Sequence, residues 1–67
     1  MNVCEFRIIG MRDEQCLRTV TNAIQDLPAI SFVEIALETG KSSVGFGSFV
    51  SESDILQAVE DAGFITE

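Results

Sequence analysis

The chain has no histidine, tryptophan or tyrosine, and only one proline, two cysteines and four basic residues among 67. Without histidine there is no imidazole to serve as general base or nitrogen ligand. No nucleophile–base pair can be assembled, which argues against an enzyme. Four cations cannot make the clustered basic surface that phosphate backbones require, so nucleic acid is excluded as a partner. No apolar run approaches the roughly 18 residues of a membrane span. The opening "MNVCEFR" lacks a basic start followed by an apolar stretch, so no secretory signal is expected. Two cysteines without such a signal predict free thiols in a reducing, cytoplasmic setting.

What is present points to one small domain over 1–67. A chain of this size buries only about 60% of its unfolded surface, so its core must be compact. A hydrophobic fraction of 46% is ample for one. The net charge of −7 is unevenly placed. Arg7, Arg12 and Arg18 cancel Glu5, Asp13 and Glu14, whereas residues 19–67 carry only Lys41 against eight acids. Such a body suits a basic protein partner or a cation. Keeping a small domain soluble is the alternative reading of the same carboxylates.

The hydrophobic period changes five times along the chain. Residues 3–9 alternate, with Cys4, Phe6 and Ile8 on one face and Val3, Glu5, Arg7 and Ile9 on the other, which predicts a strand ending at Gly10. Asp13 is placed to cap a helix, with Glu14 in its first turn. Leu17, Val20, Ile24 and Leu27 give that helix an apolar stripe, and Pro28 stops it. A second strand is expected over 30–37, with Val33, Ile35 and Leu37 inward. A two-residue Thr39-Gly40 turn would set Glu38 against Lys41 and bring Val44 and Phe46 opposite Ile35 and Val33. Ser51 with Asp54 reads as a capping box opening a second helix, whose apolar face is Ile55, Ala58, Val59 and Ala62. Gly63 follows its end, and "FIT" closes the chain as a short fourth strand. The order βαββαβ with right-handed crossovers predicts an α+β, ferredoxin-like sandwich. Its four-stranded antiparallel sheet carries two helices on one face.

Three segments, in order, resemble one family. "IIGMRDEQC" is similar to the metal loop of heavy-metal-associated domains of the copper-chaperone type, where an apolar strand leads into Gly-Met-Thr-Cys-x-x-Cys. "LPAISFVEIALETGKSSVGF" resembles the family's leucine-proline, hairpin and third-strand segment, and "ILQAVEDAGF" its second helix. The resemblance spans nearly the whole chain. It implies a small cytosolic metal carrier, or the metal-binding module of a transport ATPase or metal reductase, handling Cu(I) and sometimes Zn(II), Cd(II) or Hg(II). This chain departs from the pattern at one ligand. Asp13 stands where the first cysteine belongs and Arg12 where threonine is common, so only Cys16 matches a family ligand.

Cu(I) prefers thiolates, and a thiolate with a carboxylate is a poor pair for it; oxygen mixed with sulfur better suits Zn(II) or Cd(II). Cys16, Asp13 and Glu14 are the candidate ligands, with water or a partner completing the set. Glu14 is the weakest of them, because it points away from Cys16 on a regular helix. Asp13 has a second reading, since aspartate is a leading cap residue with no metal present. Cys16 can likewise be a small core residue. Arg12 is a neighbouring cation. The resemblance makes Met11 a core plug under the loop and sets Phe64 beside it, where it either shields Cys16 or fills the core. Cys4 lies about 20 Å back along its strand, so it is read as core and not as a replacement ligand. The sheet face away from the helices is expected to show Val3, Ile9, Phe32, Glu34, Ala36, Ser43, Gly45, Gly47 and Phe49, with Phe32 across from Gly47. Such a face predicts docking or a homodimer; a second route to a dimer joins two Cys16 thiols. Two functions therefore compete: a metal-binding or transfer module with an altered site, and an interaction module that keeps the fold without the metal. Acylphosphatases share the topology, but the arginine–asparagine pair they use is not found in the expected loop.

Overall fold

A computed structural model describes all residues 1–67. It contains β1 (Asn2–Ile9), α1 (Glu14–Gln25), β2 (Ile30–Ile35), β3 (Lys41–Phe46), α2 (Glu52–Asp61) and β4 (Ile65–Thr66). The strands form one antiparallel sheet in the order β2-β3-β1-β4. Both helices cover one face, giving the ferredoxin-like βαββαβ architecture that the alternating periods predict. No helix is long and apolar enough to cross a membrane.

The core lies between that face and the helices. β1 contributes Cys4 and Ile8, β3 Val44 and Phe46, α1 Val20 and Ile24, and α2 Ile55 and Val59, with Val50 closing one end. Strand alternation and helical spacing deliver these side chains to the same layer. Val20, Ile24, Val44, Ile55 and Val59 have no exposed surface. Helix α1 stops at Gln25, so Leu27 lies past its end, yet it still packs on the core from the turn before Pro28.

The hairpin differs from expectation. Its turn is longer than two residues: Ala36 donates to the Lys41 carbonyl at 2.9 Å and Gly40 donates to the Ala36 carbonyl at 2.7 Å. Val33 therefore pairs with Val44 and Ile35 with Ser42, a shift of two residues from the tight-turn register. The cause is at Gly40, whose φ is +77° and whose carbonyl accepts the Ile8 N–H at 2.8 Å. A side chain there would collide with the Ile8 carbonyl. The turn is thus shaped by contact with β1, which local sequence does not reveal. Phe32 consequently covers Gly45, not Gly47, and its ring fills the space a β-carbon would take. Strand β3 ends at Phe46, so Phe49 is not on the sheet; it stands 86% exposed in the turn before α2.

Candidate metal site

The loop between β1 and α1 starts at Gly10, whose φ of +103° turns the chain off the sheet. The Phe64 ring rests against this glycine, 3.7 Å from where a β-carbon would sit. Met11 is half-buried and packs on the core cluster beneath the loop. Arg12, Asp13 and Glu14 are exposed, and Cys16 is half-buried in the first turn of α1.

Asp13 caps the helix. Its backbone is extended, with φ −151° and ψ −179°, and its Oδ1 accepts the Cys16 backbone N–H at 3.1 Å. That bond first, with smaller help from the Cys16 side chain, the Gln15 N–H and the nearby Arg12 charge, holds the Asp13 acid below its usual range. The carboxylate is therefore ionised at neutral pH and lies against the thiol-bearing residue. Aspartate at the cap and cysteine at the third helical position meet because one turn of helix folds that third residue back over the cap.

Glu14 does not join them. Its carboxylate meets Arg18 at 3.7 Å, one turn along and on the surface. The chain assembles no group of three or more His, Cys, Asp or Glu side chains able to hold an ion. Cys16 and Asp13 are thus a two-donor pair, one soft sulfur and one hard oxygen. A pair of that kind does not reproduce the two thiolates that Cu(I) prefers.

Cys4 is 4% exposed on the core side of β1, paired with Val44. Burial, and then the nearby Glu52 charge, pushes its thiol up from its ordinary value, as expected of a core cysteine. Both cysteines are free.

A hollow lies away from this loop, on the open sheet face. It is a shallow groove of about 780 Å³ bordered by Glu5, Arg7, Glu34, Lys41, Ser43 and Glu67, among others. The sequence places Val3, Ile9, Phe32 and Phe49 on this face, whereas its middle is charged. Glu5 and Arg7 alternate outward with Val3 and Ile9, and the true hairpin register sets Ser43 and Glu34 in line with Glu5. The alternation in β1 carried this signal; the missing element was the register.

Comparison with known proteins agrees with the fold and the loop. The heavy-metal-associated domain family matches residues 5–64. The copper chaperone CopZ of Bacillus subtilis is 36% identical over 60 residues, covering 88% of this chain and 87% of that protein. The copper-transporting ATPase RAN1 of Arabidopsis thaliana is 35% identical over 63 residues, covering 92% of this chain; the chain spans only 6% of that protein's length. Among solved structures, a copper-binding domain of the P-type ATPase HMA7 superposes with a TM-score of 0.93 at 29% identity, covering 100% of this chain and 92% of that one. With its strand order, its loop and these matches in agreement, the chain belongs to the heavy-metal-associated domain family and carries Asp13 three residues before Cys16.

Proposed function

We propose that this domain binds a heavy-metal ion at Cys16 and Asp13 and passes it on, as a carrier or as the metal-binding module of a transporter or reductase. The observation that carries the reading is the family match over residues 5–64, with Cys16 half-buried at the start of α1 and Asp13 capping the same turn. A sulfur–oxygen pair favours Zn(II) or Cd(II) over Cu(I) in the single chain. Copper is the cargo named for the relatives CopZ and RAN1, and Asp13 is the residue that would move preference away from it.

Two donors do not close a tetrahedral shell, so the remaining positions fall to water or to a partner. A metal-transport protein offering its own thiols fits this role, as does Cys16 of a second copy. The acidic body favours a basic docking surface on that partner, and the free thiols suit a cytoplasmic setting. Glu14 adds a third oxygen only if it leaves Arg18.

A second reading is an interaction module that has lost its metal. It is favoured by the duty Asp13 already performs, since its carboxylate is engaged by the N–H groups of the helix start. Titration of reduced protein with Zn(II), Cd(II) and Cu(I) against a competing chelator separates the two. The metal reading expects the Zn(II) and Cd(II) affinities to fall on the order of 100-fold in Cys16→Ala and about tenfold in Asp13→Ala. Equal, weak binding by all three proteins supports the interaction module. Loss in Cys16→Ala alone leaves Asp13 as a cap.

A further inference from the structure

The face of the sheet opposite the helices is banded across the strands. Val3, Gly45 and Phe32 make an apolar row. Next come Glu5, Ser43 and Glu34, an acidic row in which the Ser43 hydroxyl donates to Glu5 at 3.3 Å. The third row is basic in its middle, with Lys41 beside Arg7, and Arg7 meeting Glu67 at 3.7 Å. Ile9 and Ile65, 40% and 67% exposed, make a final apolar row. The order is therefore apolar, acidic, basic, apolar, which is complementary to its own reverse.

We propose that two copies of this chain pair through these faces, about a two-fold axis that crosses the strands midway between the Glu5 row and the Arg7 row. That rotation turns one sheet over and reverses its strands. Each acidic row then lies on the other copy's basic row, and Val3 lies over Ile9 of the second copy. Glu5 meets Arg7 of the second copy. Lys41 of the second copy comes down over Ser43, between Glu5 and Glu34, where the groove lies. Lys41 and Glu34 have no ion-pair partner within their own chain, so both are available. A two-fold axis along the strands would instead set Lys41 over Arg7 of the other copy, and like charges exclude it.

Overall charge selects the same face. It carries three acids and two bases, a net −1, which leaves −6 of the total −7 on the rest of the molecule. Most of the remaining surface is acidic and repels a second copy, whereas on this face the opposed rows attract. The pairing is weak. Four strands about 4.8 Å apart and rows extending about 26 Å along β1 give at most roughly 500 Å² per copy. Stable complexes bury about 800 Å² per partner, so dissociation between micromolar and millimolar is expected. The reversed strands carry the two Cys16 thiols to opposite ends of the pair, so the inference does not depend on the metal reading.

Sedimentation equilibrium up to millimolar protein tests it by charge exchange. Lys41→Glu alone and Glu34→Lys alone should each weaken self-association about tenfold or more, since each replaces two symmetric attractions by two repulsions. An equimolar mixture of the two variants restores both pairings between positions 34 and 41 and should associate more tightly than either variant alone. Cys16→Ala should associate normally. A wild type that stays monomeric at millimolar concentration overturns the proposal. So does a mixture no stronger than its components, or a Lys41→Glu variant that pairs more tightly.

Discussion

Helix α1 starts on Asp13 and helix α2 on Ser51, and in each the capping oxygen takes the backbone N–H of the third helical residue. The distances are 3.1 Å to Cys16 and 3.2 Å to Asp54. At α2 the third residue answers, with Asp54 Oδ2 accepting the Ser51 N–H at 3.0 Å, which closes a reciprocal box. At α1 the acid has moved to the cap and the third residue is a cysteine. The backbone geometry is shared, but one start satisfies itself while the other leaves a thiol beside a carboxylate. Capping geometry is therefore common to both starts; what differs is the side chain at the third helical position.

The largest expected effect comes from making α1 look like the rest of its family. Asp13→Cys provides a second thiol three residues before Cys16 and should raise Cu(I) affinity on the order of 100-fold or more in the reduced protein. Competition with a Cu(I) chelator measures it. A variant that gains Zn(II) affinity but none for Cu(I) would mean that the loop, not the Asp13 donor, sets the preference.

Stability separates the two starts at a smaller scale. Ser51→Ala removes a cap and should cost about 1 kcal/mol, a drop in melting temperature of about 4–8 °C for a domain this small. Asp13→Asn should melt close to the wild type, because asparagine caps as well as aspartate. The same variant should still lose metal affinity, because an amide oxygen carries no charge. If Asp13→Asn binds Zn(II) as tightly as the wild type, Asp13 is a cap only, and the two helix starts differ less than their side chains suggest.

Most of the fold was legible because its signals are local. Alternation in β1, the helical stripe of α1 and the Ser51–Asp54 box each need only a few neighbouring residues, and the order of elements then limits the topology. The hairpin was not legible, since Gly40 is shaped by the Ile8 carbonyl more than 30 residues away in sequence. That single long-range contact moved the register by two, put Phe32 over Gly45 and lined Glu34 up with Glu5. At the candidate site, sequence supplied the residues and their spacing. The four-residue spacing of Glu14 and Arg18 on α1 also carried the signal for their pairing, which takes Glu14 away from Cys16.

The smallest effect is an acid limb at α1. The folded state lowers the pKa of Asp13, first through the Cys16 backbone N–H bond and then through the Cys16 side chain. A carboxyl of this kind stabilises the fold fully above its unfolded value near 3.8. That stabilisation is lost as pH falls through the lower folded value, because the unfolded chain takes up the proton first. At α2 the capping oxygen is a hydroxyl, which does not titrate. Melting curves of metal-free wild type and Asp13→Asn between pH 5 and pH 2 should therefore converge or cross on the acid side, since asparagine has no proton to gain. Parallel curves across that range would mean that the charge of Asp13 contributes nothing to the helix start. The cap would then act through its oxygen alone, as Ser51 does.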